Sequence, residues 1–305
     1  MIKHLLVPLD GSALSEASIP VASFLAGVLR AEVTLVHIIE KNPPQLVHGE
    51  AHLSNLKEAE AYLAGIAGNA FPGARSVAWH VHREEVKNVP AGIALHEEET
   101  GHDLIVMCTH GSGGVGKFLF GSVAQQVVAE GTLPVLLVKP PARPFTLRAI
   151  LVPLDGDPEH EGGLDAACEL AQASGAQIRL LVVVPTMGTL TGKGSETGML
   201  LPSATREMLE MSVEGARGYL EERMARLGAA GFSVSTEVVR GDPSQRIVDS
   251  AKELNADLIV LATHGKKGMD AVFSGSVANK VCGMDDTPLL LLRAGKRAAT
   301  KPRKG

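Results

Sequence analysis

Aromatic residues are scarce in this chain, with one Trp, two Tyr and seven Phe among 305 residues. Since 45% of the residues are nonetheless hydrophobic, the core must be built mainly from Val, Leu, Ile and Ala. Long apolar runs are also missing, and none approaches the roughly 18 residues that a membrane-spanning helix needs. This composition is typical of a globular protein with a core of ordinary size, and it predicts no membrane partner.

Cysteine is equally sparse. Cys108, Cys168 and Cys282 lie far apart, and no two of them form a CxxC pair. Such spacing fits a reducing compartment in which thiols serve as small apolar residues. The N-terminal segment reaches Asp10 too early for the apolar region of a signal peptide. We therefore expect a cytoplasmic protein.

Positive charge is in slight deficit, because 29 Lys and Arg residues face 34 Asp and Glu residues. A net charge of −5 argues weakly against a general nucleic-acid binder. The chain ends in a basic stretch, residues 295–305, which we expect to be a disordered, solvated tail. No nucleic-acid partner is predicted.

What the chain does contain is an internal repeat. Residues 6–11 and 151–156 both read LVPLDG, and LPVLLVK at residues 133–139 returns as TPLLLLR at residues 287–293. The repeat divides the chain into two similar halves, and the prolines between them favour an extended linker. We predict a first domain at residues 1–140, a linker at 141–147 and a second domain at 148–294.

A third repeated stretch carries the chemistry. Residues 103–123 and 257–277 both contain DLIV, then Thr-His-Gly, then nine residues, then Gly-Ser-Val. A strand end, a glycine-rich loop with bare backbone amides and a helix start together form an anion cradle. The hypothesis is that each copy holds the phosphates of a nucleotide.

Strand and helix patterns alternate through both halves, which predicts an α/β fold with parallel strands and helices on both faces of the sheet. One segment, residues 76–82, alternates apolar and polar residues and indicates a strand near a sheet edge. Residues 41–49 are predicted to be a loop. The insertion at residues 185–203 has no counterpart in the first half and is predicted to be a surface loop, with a mobile flap as the alternative. The predicted strands are residues 2–9, 32–39, 76–82, 103–108 and 135–138, then 149–154, 177–184, 232–239, 257–262 and 288–292; the predicted helices follow Ser12 and span 52–70, 89–100 and 122–130, then 159–174, 206–227, 243–254 and 276–283.

In open parallel sheets, ligands bind beyond the carboxyl ends of the strands. Asp10 or Asp155 comes at the end of the first strand of each half, and Ile38 or Val183 at the end of the second. An aspartate there can bind ribose hydroxyls, and apolar backbone there can accept an adenine ring. The alternative, equally favoured on spacing, is that the aspartates only cap turns.

The phosphate cradle allows two interpretations of its serines and histidines. Glycines permit close backbone approach to phosphate, whereas the serine that begins each helix can cap it, bind phosphate or do both. The histidines can contact phosphate or act in acid–base chemistry, although fixing the turn is the more common role. These residues are Gly111, Gly121, Gly265 and Gly275, with Ser122, Ser276, His110 and His264.

Several known motifs of nucleotide and metal sites match this sequence only in part. The run from Gly111 matches GxGxxG and GxxxxGK, but it follows the wrong strand for the first motif and has Phe118 where the second needs Ser or Thr. The histidine pairs at residues 48 and 52 and at 80 and 82 lack partners for a metal site. We therefore predict no catalytic residue and no metal ligand.

The combination LLVPLDGS and ILVPLDGD, THG-x9-GSV twice and the closing apolar strands resembles the universal stress protein family in its tandem two-domain form. The resemblance covers almost the whole chain. The ATP-binding branch of that family carries Gly-x2-Gly-x9-Gly-Ser/Thr, and here Cys108 and Ala262 replace the first glycine.

The resemblance implies two tandem doubly wound domains, each with a five-stranded parallel sheet, in an arrangement like that of the adenine-nucleotide alpha hydrolases. It also implies ATP, ADP or AMP at the strand ends, with or without Mg²⁺, pairing of the domains through their last strands, and a homodimer as a further option. The nucleotide contacts that it implies are Pro8, Asp10, Ser12, Ile38, Cys108, His110, Gly111, Gly121, Ser122 and Val123 in the first half, and Pro153, Asp155, Val183, Ala262, His264, Gly265, Gly275, Ser276 and Val277 in the second.

The expected function is that of a nucleotide-binding stress or signalling protein with little or no turnover. Asp157 takes the place of Ser12 in the second half, and a carboxylate near phosphates lowers affinity. We therefore expect both sites to bind, with unequal affinity. The alternatives are a slow ATP hydrolase, a chaperone-like interaction protein with vestigial sites and, least favoured, a redox sensor that uses Cys108.

Overall fold

The computed structural model describes residues 1–40, 46–47, 50–51, 53–86, 89–93, 101–109, 121–190, 193–263 and 276–293. The strands of the first half are β1 His4–Pro8, β2 Glu32–Glu40, β3 Leu46–Val47, β4 Glu50–Ala51, β5 Ser76–Val86, β6 Leu104–Cys108 and β7 Val135–Val138. Those of the second are β8 Ala149–Leu154, β9 Gln177–Val184, β10 Val234–Arg240, β11 Leu258–Thr263 and β12 Leu289–Arg293. The helices are α1 Ile19–Leu29, α2 Leu56–Asn69, α3 Ser122–Glu130, α4 Gly162–Ser174, α5 Lys193–Leu200, α6 Pro202–Ala229, α7 Pro243–Leu254 and α8 Val277–Met284.

Each half contributes five parallel strands to one ten-stranded sheet with the order β10-β9-β8-β11-β12-β7-β6-β1-β2-β5. The halves join where β7 pairs with β12, with Leu136 opposite Leu290, and this pairing is antiparallel. The expectations of parallel sheets and of domains that pair through their last strands are both confirmed. Because the junction is antiparallel, the two sets of parallel strands run in opposite directions. Their carboxyl ends therefore point to opposite sides of the common sheet, along the strand axis.

Helices cover both faces of the sheet, and one apolar core on each face runs through both halves. Successive residues of β1 alternate between the two cores, since Leu5 and Val7 belong to one and Leu6 to the other. The first core includes Leu63 of α2, and the second includes Val127 of α3. The halves therefore share their hydrophobic cores, and burial of this area stabilises them together.

The repeated aspartate of DLIV has a structural role. One carboxylate oxygen of Asp103 accepts hydrogen bonds from the backbone N–H groups of Lys3, at 2.7 Å, and His4, at 3.0 Å. Asp257 does the same for Arg148, at 2.8 Å, and Ala149, at 3.0 Å. Each carboxylate fixes the start of the strand that carries the site aspartate at its other end.

Three predictions about local structure need correction or refinement. The insertion at residues 185–203 is not a plain loop, because Lys193–Leu200 is a helix and α6 already begins at Pro202. The predicted loop at residues 41–49 contains Leu46–Val47, which pairs with Glu50–Ala51. Helix α2 begins at Leu56 rather than residue 52, since the Asn55 side chain accepts from the backbone N–H of Lys57 at 2.9 Å and caps it.

The helix predicted to follow Ser12 begins at Ile19, and the helix predicted at residues 159–174 begins at Gly162. The remaining predicted elements are present with ends shifted by up to four residues, or lie outside the described residues. Strand β5 is at one edge of the sheet, as its alternating pattern predicted. Residues 89–93 are helical, whereas the rest of that predicted helix and the basic tail fall outside the described part. Among the described helices, none combines the length and the apolar character that crossing a membrane requires.

Candidate functional site

A cavity of 260 Å³ lies beyond the carboxyl ends of β1, β2 and β6, beside the start of α3. It is the place where a doubly wound sheet binds its ligand. Its lining residues are Pro8, Leu9, Asp10, Ser15, Val36, His37, Ile38, Glu40, Val89, Ile93, Met107, Cys108, Thr109, Gly121, Val123 and Ala124.

Much of the cavity wall is apolar. Val36 and Ile38 are alternate residues of β2, so both face the same side of the sheet, where Ile93 and Met107 also pack. All four side chains are buried. This wall suits a flat, weakly polar ring, because such a ring gains from burial and needs few hydrogen bonds there.

Asp10 stands at the polar side of the cavity and organises the turn that follows β1. Its Oδ1 atom accepts hydrogen bonds from the backbone N–H of Ser12, at 2.9 Å, and from the Ser12 hydroxyl, at 2.6 Å. The Ser12 hydroxyl oxygen in turn accepts from the N–H of Ser15 at 3.2 Å. Asp10 therefore caps this turn, and the same side chain also lines the cavity. Ser12 is 2% exposed and lies behind the wall.

The start of α3 forms the far side of the cavity. Gly121 is the N-cap residue, and its amide donates to the carbonyl of Thr109 at 2.6 Å. One amide of the predicted cradle is thus already used within the protein. Ser122 is the first helical residue rather than the cap, which corrects that part of the prediction. The next amides, up to Ala124, are those that a helix leaves without an intrahelical acceptor, and the dipole there favours an anion.

Cys108 occupies the end of β6, where the resembling motif has glycine, and it lines the cavity. Its side chain is buried, with 9% exposed. A redox sensor at this position would need an exposed thiol. The structure thus argues against the redox alternative.

The second half uses its aspartate differently. Asp155 Oδ1 accepts from the backbone N–H of Asp157 at 3.0 Å, and Asp155 Oδ2 lies 2.5 Å from His160 Nδ1. In the first half the place of His160 is taken by Ser15. Ser276 is an N-cap, since its hydroxyl oxygen accepts from the N–H of Asn279 at 3.2 Å, and this predicted cap is confirmed.

A second cavity, of 330 Å³, lies next to Asp155 and Gly156, between the end of β9 and α6. This cavity is not the counterpart of the first one. Val36 and Ile38 of the first cavity point to one face of the sheet, whereas Val182 and Val184 point to the other face, toward α6. Its lining residues are Asp155, Gly156, Val182, Val183, Val184, Pro185, Ser212, Gly215, Ala216 and Tyr219.

In the first half, side chains occupy the space that corresponds to the second cavity. Leu53 lies where a side chain on Gly11 would be, with its Cδ1 2.5 Å from the ideal Cβ position, whereas nothing lies within 4 Å of that position at Gly156. The His37 ring also contributes, with its nitrogens 2.8 Å from the carbonyl oxygens of Leu9 and Leu53. Val182 takes the place of His37 in the second half, which opens the cavity.

The predicted contact residues separate into three groups. Pro8, Asp10, Ile38, Cys108, Gly121 and Val123 line the first cavity, and Asp155 and Val183 line the second. Ser12, Ser122, Pro153, Ala262, Ser276 and Val277 belong to neither lining. His110, Gly111, His264, Gly265 and Gly275 lie outside the described residues.

Sequence reasoning missed ten of the sixteen lining residues of the first cavity, among them Val36, Ile93, Met107 and Ala124. Two of them could have been found, since Val36 precedes Ile38 by the strand period of two and Met107 adjoins Cys108. Ile93 and Ala124 come from helices, and only tertiary packing brings them to the strand ends.

A repeated tyrosine–glutamate pair supports both aspartate turns. The Tyr62 hydroxyl donates to Glu16 at 2.9 Å, and the Tyr219 hydroxyl donates to Glu161 at 2.8 Å. In both cases burial, followed by the hydrogen bond to the carboxylate, raises the pKa of the tyrosine well above its usual range. The pairs tie the helix after the second strand to the segment after the aspartate.

No group of three or more His, Cys, Asp and Glu side chains in the described part of the chain could hold a metal ion. His80 and His82 have ring centroids 6.4 Å apart. His48 and His52, the other histidine pair considered from the sequence, lie outside the described residues.

Comparison with known proteins assigns the chain to a family. The model of the universal stress protein family matches residues 1–139 and again residues 146–293. The chain belongs to the universal stress protein family and carries two copies of its domain. The boundaries predicted at residues 140 and 148 remain a prediction.

Several relatives share this organisation. The chain is 24% identical over 310 residues to a universal stress protein of Mycolicibacterium smegmatis, covering 95% of this chain and 96% of the relative. It is 30% identical over 148 residues to the universal stress protein YxiE of Bacillus subtilis, which covers 47% of this chain and 97% of the relative. The crystal structure of a universal stress protein from Archaeoglobus fulgidus superposes with a TM-score of 0.66 at 19% identity, over 96% of both chains, and supports the fold.

Proposed function

We propose that this protein binds an adenine nucleotide, ATP, ADP or AMP, in the cavity of its first half and acts as a stress-response or signalling protein. The observation that carries the proposal is that one cavity gathers Asp10, Ile38 and the start of α3. A polar group for the ribose, an apolar wall for the base and a helix N-terminus for the phosphates are the three parts that a nucleotide requires.

The dimensions support the assignment of subsites. A cavity of 260 Å³ is close to the lower end of small-ligand sites, about 300 Å³. That space suits the base and sugar, with the phosphates directed toward the start of α3. Mg²⁺ enters the proposal as a counter-ion of the phosphates, without a dedicated protein site.

The two halves are proposed to bind with unequal affinity, the first half more tightly. In the second half the Asp155 carboxylate is held by His160, at 2.5 Å, and a ribose hydroxyl would have to compete with that interaction. Asp157 adds a further negative charge near the expected phosphate position. Both differences lower the expected affinity of the second half.

Calorimetry with matched variants tests this proposal. Asp10→Asn keeps the turn, because an Asn oxygen accepts the same local hydrogen bonds, but it removes the charged acceptor for the ribose. Losing a hydrogen bond to a charged group costs about 1.5–3 kcal/mol, which is about a tenfold or greater loss of affinity. Asp155→Asn is the matched control and is expected to leave the tighter site unchanged.

Two outcomes would contradict the proposal. Absence of binding heat with ATP, ADP and AMP alike would refute nucleotide binding. Equal losses of affinity in Asp10→Asn and Asp155→Asn would refute the proposed difference between the two halves. Turnover is tested separately by measuring phosphate release with and without Mg²⁺. We expect phosphate release at the rate measured in buffer without protein, and we expect His110→Ala to leave that rate unchanged. Cys108, Cys168 and Cys282 form no disulfide, which supports a cytoplasmic location within the proposal.

A further inference from the structure

The segment from the end of α5 to the first turns of α6 carries an unusual concentration of exposed apolar side chains. Of the eight large hydrophobic side chains that are exposed in the described residues, five lie between residues 199 and 211. They are Met199, Leu200, Leu201, Met208 and Met211, and Met199 is 83% exposed. Isolated exposed hydrophobic residues are ordinary, whereas a cluster marks an interaction surface.

These residues form a stripe with helical periodicity. Leu201, Ala204, Met208 and Met211 follow one another at spacings of three, four and three residues, and all are exposed. Gly215 and Gly218 continue the same spacing, and Gly215 also lies at the mouth of the second cavity. We call these six residues the α6 stripe. Such a repeat is the pattern with which one helix receives another, and the glycines permit close approach.

The α6 stripe is not needed to hold α6 on its own sheet. A separate row, Thr205, Leu209, Val213, Leu220 and Leu227, is buried against the sheet and meets that need. The helix therefore has an apolar row on two sides, one used within the protein and one facing outward. The segment before α6 ends in Met199 and Leu200, which are exposed next to the start of this helix.

Acidic side chains border the stripe on one side. Glu207, Glu214 and Glu221 recur every seven residues, so they form a row beside the stripe, and all three are exposed. Glu214 also pairs with Arg217 at 2.7 Å. An acidic row beside an apolar stripe complements a helix that has one apolar face and basic flanks.

We propose that the α6 stripe docks a basic amphipathic helix of a partner protein. Methionines adapt their shape to different partners, which suits a helix face that receives another helix. A second copy of this chain fits less well, because two antiparallel α6 helices would bring their acidic rows face to face. An anionic membrane surface is disfavoured by the same row of glutamates.

A synthetic peptide pair tests the charge preference. One 18-residue peptide has Leu at the heptad a and d positions and Lys elsewhere, and the other has Glu in place of Lys. Anisotropy titration of the full-length protein should show the basic peptide binding at least about tenfold more tightly than the acidic one, with affinity falling as salt rises. Equal binding of the two peptides, or no binding of the basic peptide, would overturn the proposal.

Matched variants localise the site. The double variant Met208→Gln, Met211→Gln keeps the helix propensity and the side-chain length. It should lower the affinity for the basic peptide by about tenfold or more. Trp79→Gln, which changes an exposed apolar residue on the sheet edge, should leave the affinity unchanged. Equal weakening by both variants would show adsorption unrelated to α6.

The other occupants are distinguished in the same preparation. Sedimentation equilibrium that shows a dimer dissociated by the double Met variant would assign the stripe to a second copy and refute the proposal. Flotation with vesicles containing phosphatidylserine that is lost in the same variant would assign it to a membrane, with the same consequence. Nucleotide affinity of the first half should not change in any of these variants, which confirms that they fold.

Discussion

The guanidinium of Arg293, at the end of the last strand of the second half, donates to the backbone carbonyl of Val128 at 3.2 Å, and it also donates to the carbonyl of Ala129. Both acceptors lie at the carboxyl end of α3 in the first half. A cation at that end satisfies carbonyl groups that the helix leaves free and complements its dipole. One side chain thus stabilises the junction of the two halves next to the helix that borders the proposed site.

Replacing Arg293 should therefore weaken the junction. Arg293→Met keeps most of the aliphatic length and is expected to lower the free energy of unfolding by about 1.5–3 kcal/mol, the usual value of hydrogen bonds to charged groups. Lys139→Met is the matched change in the other half. Lys139 Nζ lies 3.3 Å from Oδ1 of Asp286, whose side chain is 66% exposed. We therefore expect this change to lower the free energy of unfolding by about 0–1 kcal/mol. Urea unfolding followed by circular dichroism measures both, and equal losses would contradict the assignment.

The two aspartate turns offer a matched glycine pair. Gly11 and Gly156 have φ values of +87° and +86°, so alanine is strained at either position by about 1–2 kcal/mol. Only at Gly11 does the added Cβ meet a side chain, Leu53, at 2.5 Å. We expect Gly11→Ala to cost about 1–3 kcal/mol more than Gly156→Ala, because of overpacking. Thermal unfolding of the two variants decides this, and equal midpoints would show that Leu53 moves aside freely.

The tyrosine–glutamate pairs should also differ. Tyr62→Phe removes the hydroxyl that donates to Glu16, and it should cost about 1.5–3 kcal/mol. Tyr219→Phe should cost less, because Glu161 keeps Arg223, whose guanidinium nitrogens lie 2.8 and 3.0 Å away. Equilibrium denaturation of each variant against the parent protein measures the two values. Arg223 Cζ lies 4.4 Å from the centroid of the Tyr219 ring, and phenylalanine keeps that ring. A larger loss at Tyr219 would therefore show that Arg223 does not compensate for the lost hydroxyl.

Alkaline stability should depend on Cys282. Burial raises the pKa of this thiol to about 12 from its ordinary value of 9.0, and nearby Lys139 only partly opposes the effect. Between these values the unfolded chain loses the proton and the folded protein keeps it. The contribution to stability is therefore complete below pH 9 and is lost as the pH rises toward 12. Urea midpoints measured across this range should fall less steeply for Cys282→Ala, and identical slopes would exclude the thiol as a cause.

Local patterns predicted the elements well where they reflect burial alone. Strands β7, β8 and β9 and helices α3 and α7 begin and end at the predicted residues, because short apolar runs and helical periodicity are properties of neighbouring residues. The pattern was less informative at residues 193–200, where a polar, glycine-containing segment folds as a helix against α6. Periodicity of that segment is weak, so only its tertiary contacts stabilise the helix.

The sequence by itself determined the duplication, the α/β class, the family and the position of each aspartate at a strand end, since all of these are written in residue type and spacing. Tertiary structure alone decided that β7 and β12 meet antiparallel, which directs the two strand-end sites to opposite edges. It also decided that His160 holds Asp155, that Leu53 closes the first half over Gly11, and that the α6 stripe faces outward. These outcomes depend on contacts between residues distant in the chain, and local spacing does not encode such contacts.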